Sequence, residues 1–370
     1  MSRRAGLFVG LSTLDIVYRV AAPPARDEKV QATSQELAAG GPVANAAVTF
    51  AALSGQPTLV TALGRHPLAR HAASELARRA VTVLDATPDR DEPPALSSVY
   101  VVEATGERSV VSVNAAGADP PVPAELAGLA AAAPVLLLDG QYARLARAAA
   151  TAARAAGRLV VLDAGSWKPA LPDLLPLVDV AACSAAFRVP DTGSVPETVA
   201  ALRDRYSLPA VVVTAGPEPV RWWHAGRTGE VPVPAVPARD TLGAGDVFHG
   251  ALAWSLAQPG RRPSGDAGDA GSTGVGAPEA GRAARPDWGA GSVGATAVDA
   301  PATKARHARS AAAPETRSDT AGRPDTDRLV AAVQFGVRVA ALRCATAGPR
   351  GWLDDPRLAE LTAAELTAAS

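Results

Sequence analysis

The chain has 370 residues, 48% of them hydrophobic but only 4% aromatic, and a formal net charge of −1. That length can bury a substantial core, which here must be built from Ala, Val and Leu, and a near-neutral chain without a large basic block excludes a nucleic-acid partner. The two cysteines, Cys183 and Cys344, form neither a disulfide framework nor a metal spacing, a pattern that points to a reducing cytoplasm.

In chain order, residues 7–10 predict a first strand. Arg3 and Arg4 precede an apolar stretch, but Asp15 ends it and no small-residue cleavage pattern follows, so it does not read as an export signal. Segments at about 15–36 and 97–114 carry period-two patches, including Ser98-Val99-Tyr100-Val101 and Ser109-Val110-Val111-Ser112-Val113, with Thr105-Gly106-Glu107 between them as a hairpin turn. Residues 43–53 read as helix and 58–63 as strand. The later segments 135–138, 143–156, 159–162, 178–182 and 210–214 continue the alternation, with Trp222-Trp223 packing beside a strand or hairpin. Such alternation predicts an α/β doubly wound, mostly parallel sheet, and the antiparallel excursions predict a small β lid. The apolar run 126–138 contains Pro134 and is too short to span a bilayer, so no membrane partner is expected.

Residues at about 259–326 are rich in Gly, Ala, Pro, Asp, Ser and Arg and lack periodicity. Their composition predicts a disordered insertion in one domain covering 1–370, with helix returning over 327–346. The Gly289-x-Gly291-x-x-Gly294 match inside it follows no strand and opens no helix, so it fails as a dinucleotide site. The five histidines show no metal spacing, and no P-loop or G-x-S-x-G motif occurs.

Two motifs carry chemistry. Asp240-Thr241-Leu242-Gly243-Ala244-Gly245-Asp246 runs into residues at helical spacing. Glycines permit the turn, and the first amides of a helix are unpaired at the positive end of its dipole, a seat for a phosphoryl group. Asp246, where turn becomes helix, can take a proton from an attacking hydroxyl; the plain alternative is a first-turn Asp favoured by the dipole. Gly40-Gly41-Pro42-Val43-Ala44-Asn45 likewise leads glycines into an Ala-rich helix and would aim Asn45 at the same end of the sheet; the plain alternative is a turn before a packed helix, with Asn45 satisfied locally.

Together these motifs resemble the ribokinase-like carbohydrate kinases of the PfkB family, over residues 5–258 and 328–355. The resemblance implies ATP and Mg²⁺ as cofactors, a small-molecule sugar as acceptor, and transfer to its primary hydroxyl. It implies Asp246 as base, the amides of Gly243, Ala244 and Gly245 as anion hole, and Asp15, Gly40, Gly41 and Asn45 on the substrate. It further implies Thr214, Gly216 and Thr241 at the nucleotide, and a homodimer contact through the lid. Within the family, Gly245–Leu252 and Ala340–Cys344 are most similar to bacterial sulfofructose kinases and ketohexokinases. Lys29 falls where the sulfofructose enzymes have an anion-binding residue, whereas Gln141 stands where they have Arg, which favours a neutral sugar. Two departures touch the nucleotide side: Thr214-Ala215-Gly216-Pro217-Glu218-Pro219 lacks the family's last Gly, and Ser184-Ala185-Ala186-Phe187 replaces N-x-x-E. A nucleoside kinase of the same fold, and a feebly catalytic sugar- or nucleotide-binding protein, remain the alternatives.

Overall fold

Alternate residues of the first strand, β1 (Ala5–Val9), enter different cores: Phe8 packs on one face, Leu7 and Val9 on the other. A strand buried on both faces belongs to a parallel sheet covered by helices, and this is the architecture observed. The computed structural model describes residues 4–257 and 323–368. The predicted insertion, with its glycine match, lies outside the described residues up to position 322.

The chain next forms β2 (Thr13–Val20), β3 (Ser34–Gly40), α1 (Pro42–Ala52), β4 (Gln56–Thr61), α2 (Pro67–Arg78) and β5 (Thr82–Asp85). The hairpin β6 (Leu96–Val102) and β7 (Arg108–Ser112) precedes α3 (Leu126–Ala132), β8 (Val135–Leu138), α4 (Ala143–Ala155), β9 (Leu159–Ala164), α5 (Leu171–Leu174) and β10 (Val180–Ser184). Then come α6 (Val195–Tyr206), β11 (Ala210–Ala215), β12 (Glu218–His224), β13 (Arg227–Val231), α7 (Ala244–Leu256), α8 (Thr326–Cys344) and α9 (Pro356–Ala368). The nine-stranded sheet has the order β13-β12-β11-β10-β9-β8-β1-β4-β5, parallel except for the β12 and β13 edge. The four-stranded lid has the order β3-β2-β6-β7.

β8 is Val-Leu-Leu-Leu with every side chain buried, and Ala-rich α4 presents Ala146, Ala149, Ala150 and Ala153 to the core beside it. The starts of α6 and α8 follow the capping rules. Ser194 accepts from Glu197 N (3.3 Å) while Glu197 Oε2 accepts from Gly193 N (2.6 Å), and Asp325 accepts from Arg328 N (2.8 Å) to open α8. The start of α8 is also held by Thr326 Oγ1 on His224 Nδ1 (2.7 Å), by Arg323 on Asp179 (2.9 Å), and by Arg328 on the Leu256 carbonyl.

The order of the strands reverses between β1 and β8. Open α/β sheets bind ligands beyond the carboxyl ends of the strands at such a switch point. The lid lies over that end. Val17, Val99 and Val101 on its inner face pack on Leu242 of the turn before α7, Arg19 pairs with Asp240 (3.0 Å), and Arg108 donates to Thr241 Oγ1 (2.7 Å). Strand pleating sends neighbouring residues to opposite faces, so Tyr18 and Tyr100, which pair across β2 and β6, lie on the outer face. Among the described residues no helix is long and apolar enough to cross a membrane.

Candidate active site

Gly243 turns the chain into α7 with φ +73°, a left-handed conformation that suits glycine. Val247 N closes the first helical bond onto the Gly243 carbonyl (2.9 Å). The amides of Gly243, Gly245 and Asp246 have no backbone acceptor among the described residues, while that of Ala244 donates to the Thr241 carbonyl (3.3 Å). Of the three amides expected to form an anion hole, those of Gly243 and Gly245 are uncommitted, and that of Asp246 joins them. The uncommitted donors sit at the positive end of a thirteen-residue helix.

Asp246 occupies the first turn of α7, and its Oδ2 accepts from Asn45 Nδ2 at 2.8 Å. Burial pushes the Asp246 carboxyl up to about 7. The nearby Asp163 carboxylate adds to the rise, and the Asn45 hydrogen bond and His249 oppose it. His249 stands three residues on, one helical turn along the same face, with Nδ1 2.9 Å from Asp163 Oδ2 at the end of β9. Both are buried. Burial disfavours the imidazolium, but Asp163 and Asp246 together outweigh it and hold the His249 pKa above its usual value. This pair was not legible beforehand, although an His at i+3 from the candidate base was the available signal.

Two close helices bring Asn45 to Asp246. α1 and α7 meet at Gly250, where an added Cβ would lie 2.4 Å from the Ala46 carbonyl. The glycine pair before α1 serves contacts of its own. A Cβ on Gly40 would lie 2.0 Å from Asp15 Oδ2, and one on Gly41, at φ +96°, would lie 2.3 Å from the Leu11 carbonyl. These glycines let the β1–β2 turn and Asp15 press against the start of α1. Asp15 accepts from Thr13 Oγ1 (2.6 Å), and burial raises its pKa against the hydrogen bonds of Thr13 and Ser97. Gly40→Ala is expected to push the Asp15 carboxylate aside and lower the melting temperature, since overpacking of this kind costs about 1–3 kcal/mol. Differential scanning calorimetry would check it.

Asp15, Asn45, Leu242 and Gly243 thus line one cavity, together with Arg343 and Arg350, neither of which the sequence singles out as a site residue. The other predicted residues fall elsewhere. Lys29 is exposed on the β2–β3 loop and makes no hydrogen bond or ion pair among the described residues. Thr214 is the last residue but one of β11, its carbonyl accepting from Ala185 N (2.7 Å), and Gly216 forms the tight β11–β12 turn at φ +63°. Ala215 pairs with Glu218 there, so Pro217 and Pro219 are accommodated in a short hairpin. The Thr241 hydroxyl is occupied by the lid: it accepts from Arg108 and donates to the Gly106 carbonyl (3.3 Å).

The sequence pattern of the pfkB family carbohydrate kinases matches residues 7–276. The chain belongs to that family. This kinase also shares its fold with solved structures at low identity. A ribokinase from Giardia lamblia superposes with a TM-score of 0.71 at 15% identity, covering 99% of this chain and 100% of that one. A ribokinase from Arabidopsis thaliana, complexed with ribose and ATP, gives 0.56 at 22% identity over 69% and 86% of the two chains. Phosphofructokinase-2 from Escherichia coli, in a tetrameric inhibited form, gives 0.54 at 20% over 69% and 88%. At these identities the likeness establishes the ribokinase-like fold: a large, mostly parallel sheet with a small second sheet.

Proposed function

We propose that this kinase transfers the γ-phosphoryl group of ATP to a primary hydroxyl of an uncharged sugar or sugar-like alcohol. The observation that carries the reading is the juxtaposition of a partly buried carboxylate, its pKa pushed up to about 7, with unpaired amides at the start of the same helix. Asp246 takes the proton of the acceptor hydroxyl as its oxygen bonds to phosphorus and the bond to the bridging oxygen breaks. The amides of Gly243 and Gly245 stabilise charge on the transferring group, and Asp15 and Asn45 orient the acceptor. MgATP supplies the phosphoryl group, and the Mg²⁺ neutralises phosphate charge. Ser184 and Phe187 offer no carboxylate, and among the described residues no three His, Cys, Asp or Glu gather as a ligand set. When bound, the ion would be held chiefly by the phosphates and by water, as Mg²⁺ commonly is. Thr214 and Gly216 lie at the carboxyl end of β11, on the side of the sheet where the nucleotide of this reading would lie. The Arabidopsis relative's ribose and ATP are in keeping with the assignment.

The neutral acceptor rests on charge. Arg19 and Arg343 share Asp240, and Arg350 pairs with Glu75, so each guanidinium group around the cavity already has a carboxylate partner. Lys29 stands exposed on its loop, which disfavours the sulfofructose reading. A nucleoside acceptor would call for aromatic stacking from the lid, yet Tyr18 and Tyr100 lie on the outer face and Val17, Val99 and Val101 on the inner one. ATP consumption against a panel of neutral sugars, sulfosugars and nucleosides identifies the acceptor. Stimulation by a nucleoside alone would overturn the reading, and binding without turnover on every member would favour a binding protein.

The outer lid face, with exposed Leu37 and Val111 beside Tyr18 and Tyr100, is the surface for the homodimer the family resemblance suggests. Val111→Glu is expected to convert dimer to monomer in sedimentation velocity.

A further inference from the structure

We propose that Arg350 is a positioning residue for Asp246: its guanidinium fixes the side-chain amide of Asn45 so that the amide N–H, and not the amide oxygen, meets the Asp246 carboxylate. The proposal deepens the reading of Asp246 as the base and rests on it for its catalytic meaning. The contacts it describes stand whether or not that reading holds.

Arg350 lies between α8 and α9, remote in sequence from every other member of the site except Arg343. Its side chain is 11% exposed and makes contacts with three separate elements. Nε donates to Glu75 Oε1 of α2 at 3.0 Å, Nη1 donates to Asn45 Oδ1 of α1 at 3.0 Å, and Nη2 donates to the carbonyl of Ala39 at the end of β3. Glu75 closes the network, its Oε2 accepting from Ala39 N at 2.5 Å. The whole set is rigid because a planar guanidinium carries its donors in a fixed fork.

The chemistry of the partners determines the orientation of Asn45. A guanidinium has donors only and an ionised carboxylate has acceptors only, so an amide between them has one satisfactory orientation. Oδ1 must face Arg350 and Nδ2 must face Asp246, and these are the contacts observed. Without Arg350, a flipped amide costs little on one side and sets oxygen against oxygen on the other. The carboxylate would then lose a charge-assisted hydrogen bond that favours its ionised form. The other groups acting on Asp246 are Asp163 at the end of β9, His249 on α7 and Asp15 on β2, and none of them touches Arg350 through a hydrogen bond or ion pair.

The test is NMR on the whole chain with ¹⁵N-asparagine and ¹³C-aspartate labels, comparing wild type with Arg350→Lys. Lysine keeps the positive charge and loses the fork, so a change reports the fork and not the field. The expected result is that the Asn45 side-chain amide resonances move toward their free positions and that the Asp246 carboxyl titrates higher by roughly one unit. Stationary Asn45 resonances together with an unchanged Asp246 titration in a folded variant would overturn the proposal. Should Arg350→Lys fail to fold, Glu75→Gln loosens the other end of the guanidinium. It must move the same signals in the same direction, and unmoved signals there overturn the proposal equally. Neither readout needs turnover, so a failure of the kinase reading is seen separately in assays of Asp246 variants. If that reading holds, Arg350→Lys lowers kcat by up to about 100-fold with the KM for ATP unchanged, the signature of a misplaced reacting group. Arg350→Lys adds nothing further in an Asn45→Ala background, where a merely structural role would add its full effect.

Discussion

Replacing Asp246 with Asn is expected to lower kcat by about 10²–10⁴-fold, the range for a lost general base, while the affinity for ATP stays within a few-fold of wild type. The amide is isosteric, so the turn, its unpaired amides and the lid contacts of Leu242 remain. Asn at this position cannot accept the proton of the acceptor hydroxyl. The pH profile gives an independent check. The wild-type carboxyl titrates at about 7, and the base must be ionised to work, so kcat should rise with pH through that value and level off above it. Stability should run the other way. An unfolded chain loses this proton near pH 4 and the native one near 7, so between those values the native state binds more protons. This group's contribution to stability therefore falls as pH rises through the window and is constant above it. At pH 8 the Asp246→Asn variant should melt higher than wild type, by differential scanning calorimetry. A variant that kept wild-type turnover would remove Asp246 from the chemistry altogether.

Gly250→Ala is expected to damage both stability and turnover from a position that touches no substrate. Two effects compete. Alanine is a better helix former by about 1 kcal/mol. Against this, the new methyl would lie 2.4 Å from the Ala46 carbonyl and 2.7 Å from Thr49 Cβ, both on the facing helix. A backbone carbonyl in the middle of α1 cannot swing away like a side-chain tip, so the helices must part, and overpacking of this kind costs about 1–3 kcal/mol. The clash should win, lowering the melting temperature by several degrees. Because α1 carries Asn45 and α7 carries Asp246, parting them also stretches their 2.8 Å hydrogen bond, and kcat should fall with Tm. A variant as stable and active as wild type would mean that the two helices slide without strain.

How far the sequence could be read depended on whether a feature is local. The strand at 135–138, the helix after it and the Thr105-Gly106-Glu107 turn were visible because their signals lie within a few residues of one another. The turn around Gly243 was visible for the same reason. The segments α2, β5, α6 and α9 were not. Their place depends on partners elsewhere in the fold: α2 packs on β3 and β5, and α9 on α8, contacts that no short window of sequence displays. The antiparallel edge was only hinted at by Trp222-Trp223. Arg350, Glu75, Asp163 and His249 were missed because each is an ordinary residue whose importance comes from a partner far along the chain: Arg350 and Asn45 are 305 positions apart. The glycines show a second limit. Gly40 and Gly41 read as room for a ligand, whereas the structure also uses that room for Asp15 and the Leu11 carbonyl.

The join between α7 and α8 has a further consequence. Its two sides are held by contacts that do not run through the intervening chain: Arg328 on the Leu256 carbonyl, Thr326 on His224, and Arg323 on Asp179. Apolar residues of both helices also share one core, with Trp254 stacked on Phe335. Covalent continuity there supplies effective concentration, which a large apolar interface can forgo. Residues 1–257 and 323–370 co-expressed as separate polypeptides should therefore co-purify as one active complex, with the fragment boundary far from every group that handles the phosphoryl transfer.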